Sequence, residues 1–173
     1  KDAIALRDEM CANNYTYFNP RQFSNIHNIH CHFDTTGKEI IKQTNIISAF
    51  IAGSGTGGTL MGVSTALKAN NIRAKIIQVQ PEESNATHGI QGINDGEDFL
   101  LDKSIIDETI YIKTKEAIAR AKRLAKENGL LVGISAGANV LAAEQWVKEN
   151  NPEHPVVTIL CDRGERYFSC YED

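Results

Sequence analysis

The sequence predicts an α/β protein built on a mostly parallel sheet with helices on both faces. Three observations carry this. Short apolar, β-branched runs alternate along the 173 residues with stretches of helical period, the pattern of successive βαβ units. Residues 46–52 run straight into Gly53-Ser54-Gly55-Thr56-Gly57-Gly58-Thr59, and residues 60–70 then repeat apolar positions at helical spacing. That order reads as a strand, a tight glycine turn and a helix. No internal repeat or low-complexity segment interrupts the alternation, and the length suffices for one domain with a full core.

Each element follows in order. Residues 1–13 have a helical pattern, with Ile4, Leu6, Met10 and Cys11 as expected buried positions and Asn13-Asn14 as the stop. Tyr15-Thr16-Tyr17-Phe18 is a short strand candidate, and residues 19–33, rich in Asn and His without periodicity, read as an irregular loop. Thr36 with Glu39 three residues later has capping-box spacing and opens a helix to about Thr44. Residues 74–80 form a second buried strand ended by Pro81, and residues 82–101 are loop-like, with three glycines. Residues 109–113 are a third strand. Thr114 caps a long helix over 115–128, which Gly129 stops. Residues 130–134 lead into Ser135-Ala136-Gly137-Ala138 and a helix to about Asn150. A fourth strand at 155–161 precedes a polar tail, 162–173.

Bulk properties narrow the class. A net charge of −4 argues against nucleic acid or an anionic membrane as the main partner. No apolar run approaches the roughly 20 residues that span a bilayer. Cys11, Cys31, Cys161 and Cys170 form no C-x-x-C pair, and the first ten residues are charged and helical rather than signal-like. Reduced thiols and a cytosolic location are the expectation. Lys1 enters a helical pattern with no initiator methionine, so the chain is expected to be a fragment of something longer.

In parallel sheets ligands sit at the carboxyl ends of the strands. Three loops fall there or at helix starts: 53–59, 133–138 and 161–166. The glycine loop is an anion cradle, because the first N–H groups of a helix lack intrahelical partners and the helix dipole adds positive potential. Glycine permits positive φ and close approach of a ligand, and Thr56 and Thr59 add hydroxyl donors. The loop admits two readings. Gly53-x-Gly55-x-x-Gly58, with Glu82 24 residues beyond Gly58, matches a dinucleotide fingerprint. A nucleoside-triphosphate loop is excluded, since no Gly-Lys-Ser/Thr follows. Against the dinucleotide, Gly57-Gly58-Thr59 makes a compact cup for one phosphate monoester, and Ser135 stands at a second helix entrance. Bland roles compete throughout: a plain turn for the glycines, an N-cap for Ser135, core packing for Cys161, a solvated charge run for Arg163, Glu165 and Arg166. His27, His30 and His32 flank Cys31 without metal-ligand spacing and read as loop histidines, with no metal site expected.

Several stretches together resemble the fold-type-II pyridoxal-phosphate enzymes, whose fold is that of the tryptophan synthase β subunit. They are Gln22-Phe23-Ser24-Asn25, Thr35-Thr36-Gly37-Lys38-Glu39-Ile40, residues 53–59, Gln80-Pro81-Glu82-Glu83-Ser84, His88-Gly89-Ile90-Gln91-Gly92-Ile93, residues 133–138 and Asp162-Arg163-Gly164-Glu165-Arg166-Tyr167. They occur in family order over essentially the whole chain and are most similar to the cysteine synthase and cystathionine β-synthase group. Gln-Pro-Glu-Glu and Cys-Asp-Arg-Gly-Glu-Arg-Tyr are closer to its B-type than to its A-type cysteine synthases.

The resemblance implies pyridoxal 5′-phosphate as cofactor, held at its phosphate by Gly55, Thr56, Gly57, Gly58 and Thr59, with Ser135 on the pyridine nitrogen. It implies Gln22 and Gly92 on the side of a small amino-acid substrate, a homodimer, and β-replacement of O-acetylserine by sulfide to give cysteine. Related outcomes with another nucleophile, cystathionine or 2,3-diaminopropionate, stay open. So does the less favoured NAD-binding domain. A serine hydroxyl suits an unprotonated ring nitrogen, a weaker electron sink, and so favours prompt loss of a β-substituent over a long-lived carbanion. The family's N-terminal Ser-x-Lys-Asp-Arg-type motif, with its Schiff-base lysine, has no counterpart here, and neither has its Ser-Gly-Asn-Thr-Gly-type loop. Residues 1–33 then end a small domain, and 34–173 make most of the large phosphate-binding domain. The 173 residues alone are expected to be inactive. Ile26 and Asn94 replace a usual proline and glycine in the regions facing the substrate.

Overall fold

A computed structural model describes residues 2–82 and 100–171, with the side chains from residue 5 onward. Among the described residues the four strands are Ala49–Gly53 (β1), Lys75–Pro81 (β2), Glu108–Ile112 (β3) and Val156–Thr158 (β4). All pair in parallel, in the order β3-β2-β1-β4. Phe50 stands opposite Ile76 on one side and Val157 on the other, and Val79 stands opposite Ile110. Ala49, Phe50, Ile51 and Ala52 are all buried, as expected for a central parallel strand covered on both faces.

Alternation along β1 assigns the two faces. Phe50 and Ala52 face a layer with Ile40, Leu60, Val63, Leu67 and Ile76, supplied in part by Lys38–Thr44 (α3) and Gly58–Ala69 (α4). Ala49 and Ile51 face Ile77, Val79, Ile112, Ile134 and Trp146, under Thr114–Asn128 (α5) and Ile134–Asn150 (α6). The predicted sheet with helices on both faces is what forms. Helices α5 and α6 touch closely at Gly137, where a Cβ would lie 2.2 Å from the Ala117 carbonyl oxygen. Gly129 ends α5 at φ 70°, as its position predicts.

The N-terminal quarter departs from expectation. Asp2–Asn13 (α1) is helical, but Leu6 and Met10 are 57% and 43% exposed. Cys11 is half-buried, and Ile4 lies outside the described side chains. At about 100° per residue, Cys11 lies roughly 100° from Met10 and 140° from Leu6 around the helix, so these three make no narrow apolar stripe to bury. Residues 15–18 form no strand. The Asn14 Oδ1 accepts from the Thr16 N–H at 2.9 Å and its O–H at 2.7 Å, folding the chain into a local turn. Tyr15 and Phe18 are left 99% and 85% exposed.

The expected loop holds over 19–26, but from residue 27 it gives way to a helix. His27–His32 (α2), a π turn Phe33–Gly37 and α3 make one helical run from 27 to 44. Asn25 opens it, its Oδ1 accepting the His27 N–H at 3.0 Å. The expected capping box at Thr36 and Glu39 therefore does not form. Thr36 lies mid-run, at 3.0 Å from His32 Nδ1, and Gly37 has helical backbone. Residues 162–171 of the polar tail also take up defined structure. Arg163 bridges Val132, a 3-10 turn spans Gly164–Tyr167, and Phe168–Tyr171 (α7) follows. Tyr171 donates its hydroxyl to the Val132 carbonyl at 2.6 Å. Among the described residues no helix is long and apolar enough to cross a membrane.

Candidate functional site

Strand order reverses at β1, with β2 on one side and β4 on the other. Such a switch point opens a crevice beyond the carboxyl ends of the strands, and the glycine loop leaves β1 there. Behind the loop, Ser54 is fully buried. Its Oγ accepts from Gln78 Nε2 at 2.6 Å and from Gln80 Nε2 at 2.8 Å, which pins the loop's base to β2. Gly57 has φ +87° and flanks α4. The first helical bond runs from the Met61 N–H to the Gly57 carbonyl at 3.0 Å, so the Gly58, Thr59 and Leu60 donors precede the ladder. Thr56 Oγ1 accepts the Gly58 N–H at 3.2 Å. The Thr56 carbonyl is turned away, accepting from the Leu100 N–H at 3.2 Å. A Cβ on Gly55 would meet nothing within 4 Å, so that peptide is open to a ligand.

The second wall is the start of α6. Gly133 flanks the helix with no side-chain cap, so Ser135, half-buried in the first turn, is not the helix cap. One turn on, and on the same face, Asn139 is buried. Its Oδ1 accepts the Gly53 N–H and its Nδ2 donates to the Ile159 carbonyl, both at 2.8 Å. One amide thus joins the ends of β1 and β4 to the helix that carries Ser135. Sequence reasoning missed Asn139, although four residues after Ser135 is the same helical face.

Asp162 follows β4 beneath that helix start. Its carbonyl accepts the Gly133 N–H at 3.0 Å, its Oδ2 accepts from the Tyr167 hydroxyl, and its Oδ1 is buried without a partner. Cys161 is exposed as a residue, not packed in the core as expected, though its sulfur turns inward to 3.7 Å from Asn139 Nδ2. Burial and then the Asp162 charge push its thiol up, so it is a poor nucleophile at neutral pH. The hydrogen bond to Asp162 holds the Tyr167 phenol up to about 12, with burial adding to it. The sign follows. The unfolded chain ionises this tyrosine near 10 while the fold resists, so its contribution to stability is complete below about pH 10 and vanishes as pH rises toward 12. An alkaline phenolate titration is expected to show a late tyrosine that Tyr167→Phe removes. An unchanged titration in that variant would contradict the Asp162 contact.

The other sequence candidates separate. Gln22 is exposed, and its carbonyl accepts from Asn28 Nδ2 at 2.9 Å, which brings its segment to the glycine loop. Gly92 lies outside the described residues. Glu82, the acid of the dinucleotide reading, is exposed at 4.0 Å from Lys113. The histidines do not converge: His27 and His30 contact edge to face at 5.6 Å, while His32 faces Thr36 and Thr59. Among the described residues no group of three or more His, Cys, Asp or Glu could hold a metal. A cavity of about 800 Å3 opens at the opposite, amino ends of β1 and β2, beside Ser48, Lys68, Lys75 and Asp107. It is remote from the glycine loop, and the Lys75–Asp107 ion pair at 2.7 Å lies along it.

A family model described as pyridoxal-phosphate dependent enzyme matches residues 1–162. The chain belongs to that family. It is 39% identical to a cysteine synthase of Staphylococcus aureus and 40% identical to a cysteine synthase B of Campylobacter jejuni, each over 98% of this chain. A solved hydrogen sulfide-producing enzyme of Fusobacterium nucleatum superposes with a TM-score of 0.88 at 32% identity, over 96% of this chain and 60% of the other. The chain spans 56% and 59% of the two curated relatives. In this family the Rossmann reading of the glycines falls away.

The site fits the phosphate of a pyridoxal-phosphate family cofactor. A 12-residue helix points its first turn at the crevice, and the Gly55 position leaves room for close approach. Hydroxyls of Thr56 and Thr59 flank the donors. Neutral donors at a helix terminus are the usual arrangement for holding a phosphate dianion.

Proposed function

We propose that this chain is the cofactor-phosphate part of a pyridoxal-phosphate-dependent cysteine synthase, which replaces the acetate of O-acetylserine with sulfide. The observation that carries this is the glycine loop facing the start of α6 across the β1–β4 switch point, in a chain of this family. When bound, the cofactor supplies the electron sink that labilises the Cα–H bond of an amino acid. The residues of this chain then have separate tasks. Gly55, Thr56, Gly57, Gly58 and Thr59 anchor the phosphate. Ser135 offers its hydroxyl to the ring nitrogen, which keeps that nitrogen unprotonated. Gln22 and Gly92 orient the carboxylate side of the substrate. No residue of this chain is assigned as the Schiff-base lysine, so the reaction belongs to the longer protein, a cytosolic homodimer in this reading. Residues 1–33 close its small domain and 34–173 build most of its large one.

The test uses that longer protein loaded with pyridoxal 5′-phosphate. A visible absorption band is expected to shift on addition of O-acetylserine and to return when sulfide is added, with cysteine and acetate released. A cofactor band indifferent to O-acetylserine would overturn the substrate assignment. A protein that takes up no cofactor would overturn the reading as a whole.

A further inference from the structure

Helix α2 presents Asn28 and His32, one turn apart, to the two threonines of the glycine loop. The helices meet closely because α4 carries glycine at the crossing. A Cβ on Gly58 would lie 2.2 Å from Asn28 Oδ1, and one on Gly62 would lie 2.5 Å from His32 Cβ. Asn28 Nδ2 donates to the Gln22 carbonyl at 2.9 Å and to Thr56 Oγ1 at 3.1 Å. A carbonyl can only accept, which fixes the orientation of the amide. Thr56 Oγ1 also accepts the Gly58 N–H, so both its lone pairs are taken and its hydrogen remains for a further acceptor. His32 stands between Thr36 Oγ1, 3.0 Å from Nδ1, and Thr59 Oγ1, 3.2 Å from Nε2. Burial lowers the imidazole's affinity for a second proton, so one ring nitrogen donates and the other accepts.

We propose that Asn28 and His32 are positioning residues that occupy the acceptor sides of Thr56 and Thr59, so that both hydroxyls donate into the glycine loop toward the cofactor phosphate. In this arrangement the Thr36 hydroxyl donates to Nδ1, and the Nε2–H donates to Thr59. The opposite tautomer would consume the Thr59 hydrogen on the imidazole. Asn28 in addition ties the loop to the Gln22 segment, coupling the phosphate cradle to the substrate side. The inference rests on the cofactor reading above.

Binding of pyridoxal 5′-phosphate and of pyridoxal, which lacks the phosphate, is compared by equilibrium titration of the longer protein. The wild type is expected to prefer the phosphorylated form strongly. Asn28→Ala is expected to weaken that form about tenfold and leave pyridoxal unchanged. Thr36→Val, which reaches the loop through His32, is expected to weaken it about threefold. These sizes are those of one misdirected hydrogen bond to a charged group. Nitrogen-15 NMR of histidine-labelled protein is expected to show His32 protonated at Nε2 in the wild type. Equal weakening of both ligands in the variants, unchanged binding of both, or an Nδ1–H tautomer would overturn the positioning role. A wild type with no preference for the phosphorylated form would instead overturn the cofactor reading.

Discussion

Gly57→Ala is expected to unfold the cradle and lose tight binding of the cofactor phosphate. Residue 57 adopts φ +87°, and a Cβ there would lie 2.5 Å from Leu101 Cβ and 2.7 Å from the Leu101 backbone nitrogen. The left-handed conformation costs an L-residue about 1–2 kcal/mol, and forcing a methyl into packed atoms adds about 1–3 kcal/mol. The neighbour cannot yield cheaply, because it is backbone and Leu101 packs against the core layer with Phe50 and Leu60. Chemical denaturation should therefore report a loss of about 2–5 kcal/mol, alongside a cofactor titration with no saturable phase. Gly55→Ala is the matched contrast. Its Cβ meets nothing, so stability should hold while binding weakens where a ligand approaches the peptide. Equal stability of Gly57→Ala and wild type would refute the account of the loop.

Asn139→Leu is expected to cost about 2–5 kcal/mol through a different physical route. The side chain is 2% exposed, and leucine is close to it in volume, so little cavity forms. What is lost is two partners: the Gly53 N–H and the Ile159 carbonyl. Each group left unpaired in these part-buried surroundings costs up to about 1–3 kcal/mol, whereas the bond itself contributed only about 1 kcal/mol net. Asn139→Asp keeps an acceptor for Gly53 but loses the donor to Ile159 and buries a carboxylate, so it should also be destabilised, and more so as pH rises above the carboxylate range. Denaturation midpoints at two pH values check both. A leucine variant as stable as wild type would show that the β1–β4 seam does not depend on this amide.

The sheet and its helices were legible because their signals are local. Residues 46–52 carry a nearly unbroken apolar run, Ile76, Ile77 and Val79 mark the second strand, and Gly129 stops α5 where a left-handed residue is needed. The glycine loop was legible for the same reason, since glycine at a strand end followed by a helix has few other uses. The last part of the helical run from 27 to 44 was legible as the helix expected to end near Thr44, but its start at residue 27 was not. Its apolar positions are sparse, and its opening signal was the Asn25 side chain bonding two residues on rather than the capping-box spacing at Thr36. Asn28, His32 and Asn139 were missed because their partners lie 28, 27 and 86 residues away along the chain. Only the folded chain brings those groups within bonding distance. Leu6 and Met10 show the reverse failure, a helical spacing that named a buried face where the described side chains of α1 have none.

The π turn Phe33–Gly37 fixes a rotational phase. Upstream of it, Asn28 and His32 must point at Thr56 and Thr59; downstream, Ile40 must point into the layer beneath Phe50. A π turn accommodates one residue more than regular helical winding, and each residue turns the helix by about 100°. Removing one residue between 33 and 37 would restore a regular helix yet swing one half about 100° out of step with the other. Either Ile40 would leave the core or the two polar side chains would leave the loop. Residue count in this short segment is therefore as binding a constraint as residue identity.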